Sequence, residues 1–148
     1  MRIVKNISFF IILGFIVVLI SIWIKSDFLF SYLQNSIIGL LLTLLAINTA
    51  TLGLIASKMQ DMLEKHVGLS FEKTIKEMKF SLIEQIVLIA VSITSLMLLG
   101  SSIIIFEYKE ILVNSLLTSV LLYAIHILWD TGKAVFVIID LIQKNKGS

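Results

Sequence analysis

The stretch "SIIGLLLTLLAINTATLGLIAS", residues 36–57, is an apolar run without a single charged side chain. It is long enough to cross a bilayer as a helix, which requires roughly 20 residues. Three further apolar runs of this kind lie at residues 7–24, 81–106 and 111–129. A backbone inside lipid must satisfy its own hydrogen bonds, and β-barrel strands would give shorter, alternating segments. The sequence therefore predicts an all-α fold, a single domain built as a four-transmembrane-helix bundle.

The composition supports a membrane protein. Hydrophobic residues make up 58% of the 148 residues and charged residues only 15%, whereas about a quarter of a soluble protein is charged. The absence of cysteine excludes disulfides and zinc–thiolate sites, and the absence of proline predicts continuous helices. No H-E-x-x-H, G-x-S-x-G or glycine-rich phosphate loop is present, so we expect neither an enzyme nor a cofactor.

The cations predict the orientation of the chain. Ten of the twelve lysines and arginines lie on one side of the predicted membrane: before helix 1, between helices 2 and 3, or after helix 4. Only Lys25 and Lys109 lie on the opposite side. Positive loops stay in the cytoplasm. We therefore expect both termini and residues 58–80 to be cytoplasmic, in a bacterial inner membrane.

The connection between helices 2 and 3 has its own apolar pattern, at helical spacing on both sides of Gly68. This pattern predicts that helices 2 and 3 extend beyond the membrane as a cytoplasmic helical hairpin over residues 58–80. Methionine side chains give binding surfaces soft, adaptable contacts, so the apolar residues of this hairpin are candidates for binding a cytoplasmic protein. The alternative is that they pack the hairpin against itself and against helix 4. The candidates are Met59, Met62, Phe71, Ile75 and Met78.

After Trp129 the chain stays apolar instead of becoming a polar tail. Residues 130–146 could continue helix 4 beside the hairpin, or could break near Gly132 and lie on the membrane surface. We expect the continuous helix, because one glycine rarely breaks a helix and the hairpin needs apolar cover.

Polar side chains occur on one face of several helices. On helix 4 they follow one another at steps of three and four residues, with Leu122 completing the row. Such faces either line an aqueous path or act as hydrogen-bonding glue between helices. The pore or gate candidates are Asn48, Thr51, Glu84, Ser92, Ser95, Ser115, Ser119, His126 and Asp130. Asn48 and Thr51 are expected close to mid-membrane.

Three small residues on helix 2, Thr49, Gly53 and Ser57, are spaced four apart. This spacing is typical of a helix surface that packs closely on another helix.

His126 is expected one turn inside the cytoplasmic boundary, with Asp130 one turn below it and Lys133 next. Histidine changes charge near neutral pH, so this ladder could form a proton-sensitive gate to which Glu84 contributes from helix 3. The alternative for Asp130 and Lys133 is an exposed ion pair that anchors the helix end.

The chain length, the four helices, the basic connection and the segment "IHILWDTGKAVFVIID" at residues 125–140 together resemble the RexB-type small membrane proteins of phage exclusion. More loosely, the chain is similar to the four-helix membrane subunits of bacterial defence systems such as Kiwa. The resemblance is one of architecture, and it implies an ion-conducting or membrane-perturbing role triggered by phage infection.

Two functions remain open. In one, several copies, most simply four, assemble into an ion-conducting or membrane-depolarising assembly that a cytoplasmic partner triggers. In the other, the chain is a membrane anchor or sensor that recruits a soluble effector through its hairpin. The direction of Ser115, Ser119 and His126 separates them, because a pore needs these side chains on an axis shared between subunits. No direct contact with nucleic acid is expected.

Overall fold

The computed structural model describes residues 2–65, 70–104 and 106–146, and within these ranges it contains helices and no strand. The helices are α1 (Arg2–Trp23), α2 (Phe28–Lys65), α3 (Glu72–Gly100) and α4 (Lys109–Lys146). Each is long and apolar enough to cross a membrane. The predicted all-α fold with four helices of membrane-spanning length is confirmed.

The helix ends differ most from the predicted spans at the start of α2 and at the end of α3. α2 begins at Phe28 instead of Ser36, because the segment "FLFSYLQN" contains neither glycine nor proline to stop a helix. α3 ends at Gly100 instead of Phe106. There Ser101 is extended, and its Oγ accepts hydrogen bonds from the N–H groups of Ile103 and Ile104, each at 3.3 Å. Residues 101–108 therefore connect α3 to α4, whereas the predicted spans leave only residues 107–110 between them.

α2 and α4 are much longer than a bilayer crossing requires. Each has 38 residues, which corresponds to about 57 Å at 1.5 Å per residue, against a hydrocarbon core of about 30 Å. α4 continues through Gly132 without a break. The expected continuous helix is therefore present, and the alternative break near Gly132 is not. Residues 66–69 of the predicted hairpin lie outside the described residues, and its projection from the membrane stays a prediction.

α4 is the central helix of the molecule. Among the described residues it contacts all three other helices, α2 also contacts α3, and α1 contacts only α4. α4 runs parallel to α2, where Gln34 Nε2 donates to Asn114 Oδ1 at 2.8 Å. The structure is therefore a bundle of α2, α3 and α4 with α1 packed on the outside of α4.

The two ends of the bundle carry different parts of the chain. The turn end holds the end of α1, the start of α2, the end of α3 and the start of α4, and the terminal end holds the opposite end of each helix. Each half has its own hydrophobic core. The turn-end core is formed by Leu33, Ile37, Leu41, Val113, Leu117, Val120 and Ala124, and the terminal-end core by Leu52, Ile55, Met59 and Ile138.

Candidate functional site

A layer of polar side chains lies between the two hydrophobic cores. On α2 it falls between Leu41 of the turn-end core and Leu52 of the terminal-end core. We call it the polar layer, and it consists of Asn48, Ser81, Glu84, Gln85 and Tyr123. α2, α3 and α4 all contribute to it, so the polar layer connects three helices of the bundle.

The α2–α3 part of the polar layer is a buried amide pair. Asn48 Nδ2 donates to Gln85 Oε1 at 3.0 Å and to Ser81 Oγ at 3.1 Å. Asn48 is 0% exposed and Gln85 is 2% exposed. Ser81 opens the predicted span of helix 3, so Asn48 lies level with the terminal-end boundary of that span. Its expected position close to mid-membrane stays a prediction.

The α3–α4 part of the polar layer is a carboxylate held by a phenol. The Tyr123 hydroxyl donates to Glu84 Oε1 at 2.6 Å, at the short end of the range for O–H···O hydrogen bonds. Tyr123 itself is buried. The sequence analysis identified Glu84 but missed Tyr123. The signal available was that a carboxylate inside an apolar helix needs a donor from a neighbouring helix.

The predicted charged ladder on α4 is present and continues from the polar layer toward the terminal end. His126 Nε2 lies 3.4 Å from Asp130 Oδ2, and Lys133 Nζ lies 3.3 Å from Asp130 Oδ1. The imidazole also packs against the ring of Phe10 on α1, with ring centroids 5.1 Å apart. Glu84 does not join these residues, because its described hydrogen bond is to Tyr123. The ladder thus borders α1.

The serine face of α4 points into the chain's own packing. Ser119 is buried, and its Oγ donates to the Ser115 carbonyl oxygen at 2.6 Å. A Cβ added at Gly14 of α1 would collide with Ser119 Oγ and would lie 2.7 Å from the Ser115 carbonyl oxygen. α1 therefore packs directly on this face at Gly14, a contact residue that was not predicted from the sequence.

The candidate serines of α3 are also internal. Ser92 and Ser95 are buried within the chain, and Ser95 Oγ donates to the carbonyl oxygen of Val91 at 2.7 Å. Bonds of this kind to the helix's own backbone satisfy a hydroxyl in an apolar environment. Together with Ser119, these residues face neighbouring helices of the same chain.

The small-residue face of α2 is left open by the fold. Thr49, Gly53 and Ser57 are all exposed, and a Cβ added at Gly53 would meet nothing within 4 Å. Thr51 is half-buried, and its hydroxyl bonds the carbonyl oxygen of Ile47 at 2.9 Å. Within one chain, α2 packs through other residues, so the predicted close-packing surface is unused there.

Most of the predicted partner-binding residues form the terminal-end core or pack against it. Met59 and Met62 are buried, and Phe71 and Met78 pack against the core. Ile75 is 44% exposed. Packing within the chain, the alternative to partner binding, therefore accounts for four of the five residues. The most exposed apolar side chains near this core are instead Leu54 at 67% and Phe136 at 68%.

Taken with its helices, this site belongs to a four-helix membrane protein with a buried polar layer between two apolar cores. Within the described residues no group of histidine, aspartate and glutamate side chains is arranged to hold a metal ion. Comparisons with protein-family models, with curated proteins and with solved structures found no match.

Proposed function

We propose that this chain is a membrane anchor or sensor subunit that recruits a soluble protein and does not itself conduct ions. The observation that carries this proposal is the direction of the polar faces. Ser92, Ser95 and Ser119 are buried between helices of one chain, whereas a pore formed by several copies would need such side chains on the surface that the copies share. The hydroxyls of Ser95 and Ser119 are satisfied by the backbone of their own helices, so they need no aqueous path.

The terminal-end core supports the same proposal. α2 and α4 exceed the hydrocarbon thickness by about 27 Å each, and their extra length packs with the start of α3 around Met59 and Ile138. With the cation asymmetry, this three-helix unit would lie in the cytoplasm of a bacterium. A unit built from the membrane helices themselves can transmit a displacement of those helices to a bound protein.

The contact surface for that partner is the exposed apolar part of the three-helix unit. Phe136 is about two-thirds exposed on it, and large exposed apolar side chains mark protein or membrane contacts. This surface replaces the predicted one, because Met59 and Met62 are needed inside the core.

The proposal can be tested by quantifying proteins cross-linked to the chain in bacterial membranes. We expect Phe136→Asp to reduce recovery of a specific soluble partner at least tenfold, as truncation of a central contact does. Gln60→Asp is the matched control, since Gln60 is exposed on the same unit and the variant adds a charge without removing an apolar side chain. Equal recovery from both variants would contradict this surface.

A flux measurement tests the other half of the proposal. Purified chain reconstituted in proteoliposomes should leave a potassium gradient intact at protein-to-lipid ratios where a known channel collapses it. A conductance that disappears in Asn48→Leu would overturn the anchor proposal.

A second candidate is the homo-oligomeric, membrane-depolarising assembly. The observation that favours it is the open face at Thr49, Gly53 and Ser57, which can accept a helix of another copy. It predicts that His126→Leu abolishes triggered depolarisation, measured with a voltage-sensitive dye, while Ser119→Ala retains it. A role in antiphage defence rests on the architectural resemblance, and plating of phage on cells with and without the gene tests it.

A further inference from the structure

Two atoms of the buried amide pair have no hydrogen-bond partner in the protein. They are Asn48 Oδ1 and Gln85 Nε2, on side chains that are 0% and 2% exposed respectively. Buried polar groups are almost always hydrogen-bonded, since leaving a donor or acceptor unpaired incurs its full desolvation penalty. We propose that Asn48 and Gln85 together bind a water molecule inside the bundle.

Reassigning the amide atoms does not remove the need for a partner. Amide oxygen and nitrogen are assigned from the hydrogen-bond network, so both side chains could be turned over. Asn48 Oδ1 would then accept from Gln85 Nε2, and the atoms left without a partner would be Asn48 Nδ2 and Gln85 Oε1. In either assignment one donor and one acceptor stay unpaired between α2 and α3.

The chemistry of the pair selects the ligand. A cation would need several oxygen ligands and would be repelled by the N–H group of Gln85, while an anion would be repelled by the amide oxygen of Asn48. A water molecule donates and accepts at once, and buried waters make two to four such bonds. The two unpaired atoms belong to the two amides that the 3.0 Å hydrogen bond joins, so they lie on neighbouring side chains of α2 and α3.

The position gives this water a structural meaning. Asn48 lies between Leu41 of the turn-end core and Leu52 of the terminal-end core. The proposed water molecule therefore lies between the two hydrophobic cores. The hydroxyl of Ser92 is likewise buried without a partner, but it lies seven residues along α3, about 10 Å away. Ser92 is therefore outside the reach of a single water bound to Gln85 and serves as a control.

The test is water–amide cross-relaxation in NMR spectra of the full chain in lipid nanodiscs, with the side-chain amides labelled with ¹⁵N. We expect the Gln85 amide protons to show cross-peaks at the water frequency with the signs of a bound molecule, at a pH where amide exchange is slow. Gln85→Met identifies the resonance by its loss. Ser92→Ala should leave the cross-peak unchanged, and Asn48→Leu, which removes one anchor, should abolish it.

Two outcomes would overturn the proposal. One is a wild-type spectrum in which Gln85 shows no water cross-peak although the exposed Gln60 does; this requires no variant to fold. The other is a Gln85 cross-peak that persists at full intensity in Asn48→Leu, since a water held by Gln85 alone is not a bridge.

Discussion

Replacing Gly14 by alanine should separate α1 from the rest of the molecule more effectively than any other single methyl group. A Cβ at this position would lie 2.7 Å from the Ser115 carbonyl oxygen and 2.9 Å from the Ser119 backbone nitrogen, and closer still to Ser119 Oγ. Two of these atoms belong to the backbone of α4. A rotamer change cannot relieve them, so the helices must move apart.

The expected cost follows from the number of fixed atoms in this contact. Overpacking a tight interface by one group costs about 1–3 kcal/mol, and here the relaxation available is a shift of α1 as a whole. Among the described residues α1 packs only on α4, so no second helix holds it in place. We expect the free energy of unfolding to fall by about 2 kcal/mol, roughly a thirtyfold change in the equilibrium constant.

The measurement is equilibrium unfolding in mixed micelles with increasing SDS, followed by circular dichroism. Gly53→Ala is the matched control, because a Cβ there meets nothing within 4 Å and alanine favours the helix. The double variant Gly14→Ala with Ser119→Ala should recover only part of the loss, since the backbone contacts with α4 remain. If Gly14→Ala unfolds at the same SDS fraction as Gly53→Ala, the packing of α1 on α4 described here is wrong.

Three further predictions concern the polar layer, the topology and the assembly. Tyr123→Phe removes the 2.6 Å hydrogen bond to the α3 carboxylate and should destabilise the chain by about 1–3 kcal/mol in the same titration; an unchanged midpoint would mean that the bond is not formed. Single cysteines at Ser26 and Glu110 should react with an external reagent in intact cells while one at Lys76 is protected, and the reverse pattern would invert the topology. Gly53→Leu should lower the oligomer mass in nanodiscs without changing monomer unfolding, whereas wild-type protein that is monomeric there would remove support for the depolarising assembly.

The sequence by itself determined the helices. Whether a segment is apolar and long enough to cross a bilayer is a property of that segment alone, so the four helices follow from runs such as residues 36–57. The continuity of α4 through Gly132 was accessible in the same way, because one glycine costs a helix only about 1 kcal/mol. The ends of the helices were harder to predict from the sequence. α3 ends at Gly100 because of a capping geometry at Ser101, which a hydropathy pattern does not reveal.

Only the tertiary structure decided which helices meet and through which residues. In a membrane protein the lipid-facing and helix-facing surfaces are similarly apolar, so the pattern along a helix does not say which side is buried. That is why Gly14 was missed and why Tyr123 was not recognised as the partner of Glu84. The hydrogen bond from Asn48 to Gln85 was likewise not predictable, since it depends on the register of α2 against α3, which is set by packing between helices and not by the pattern of either helix alone.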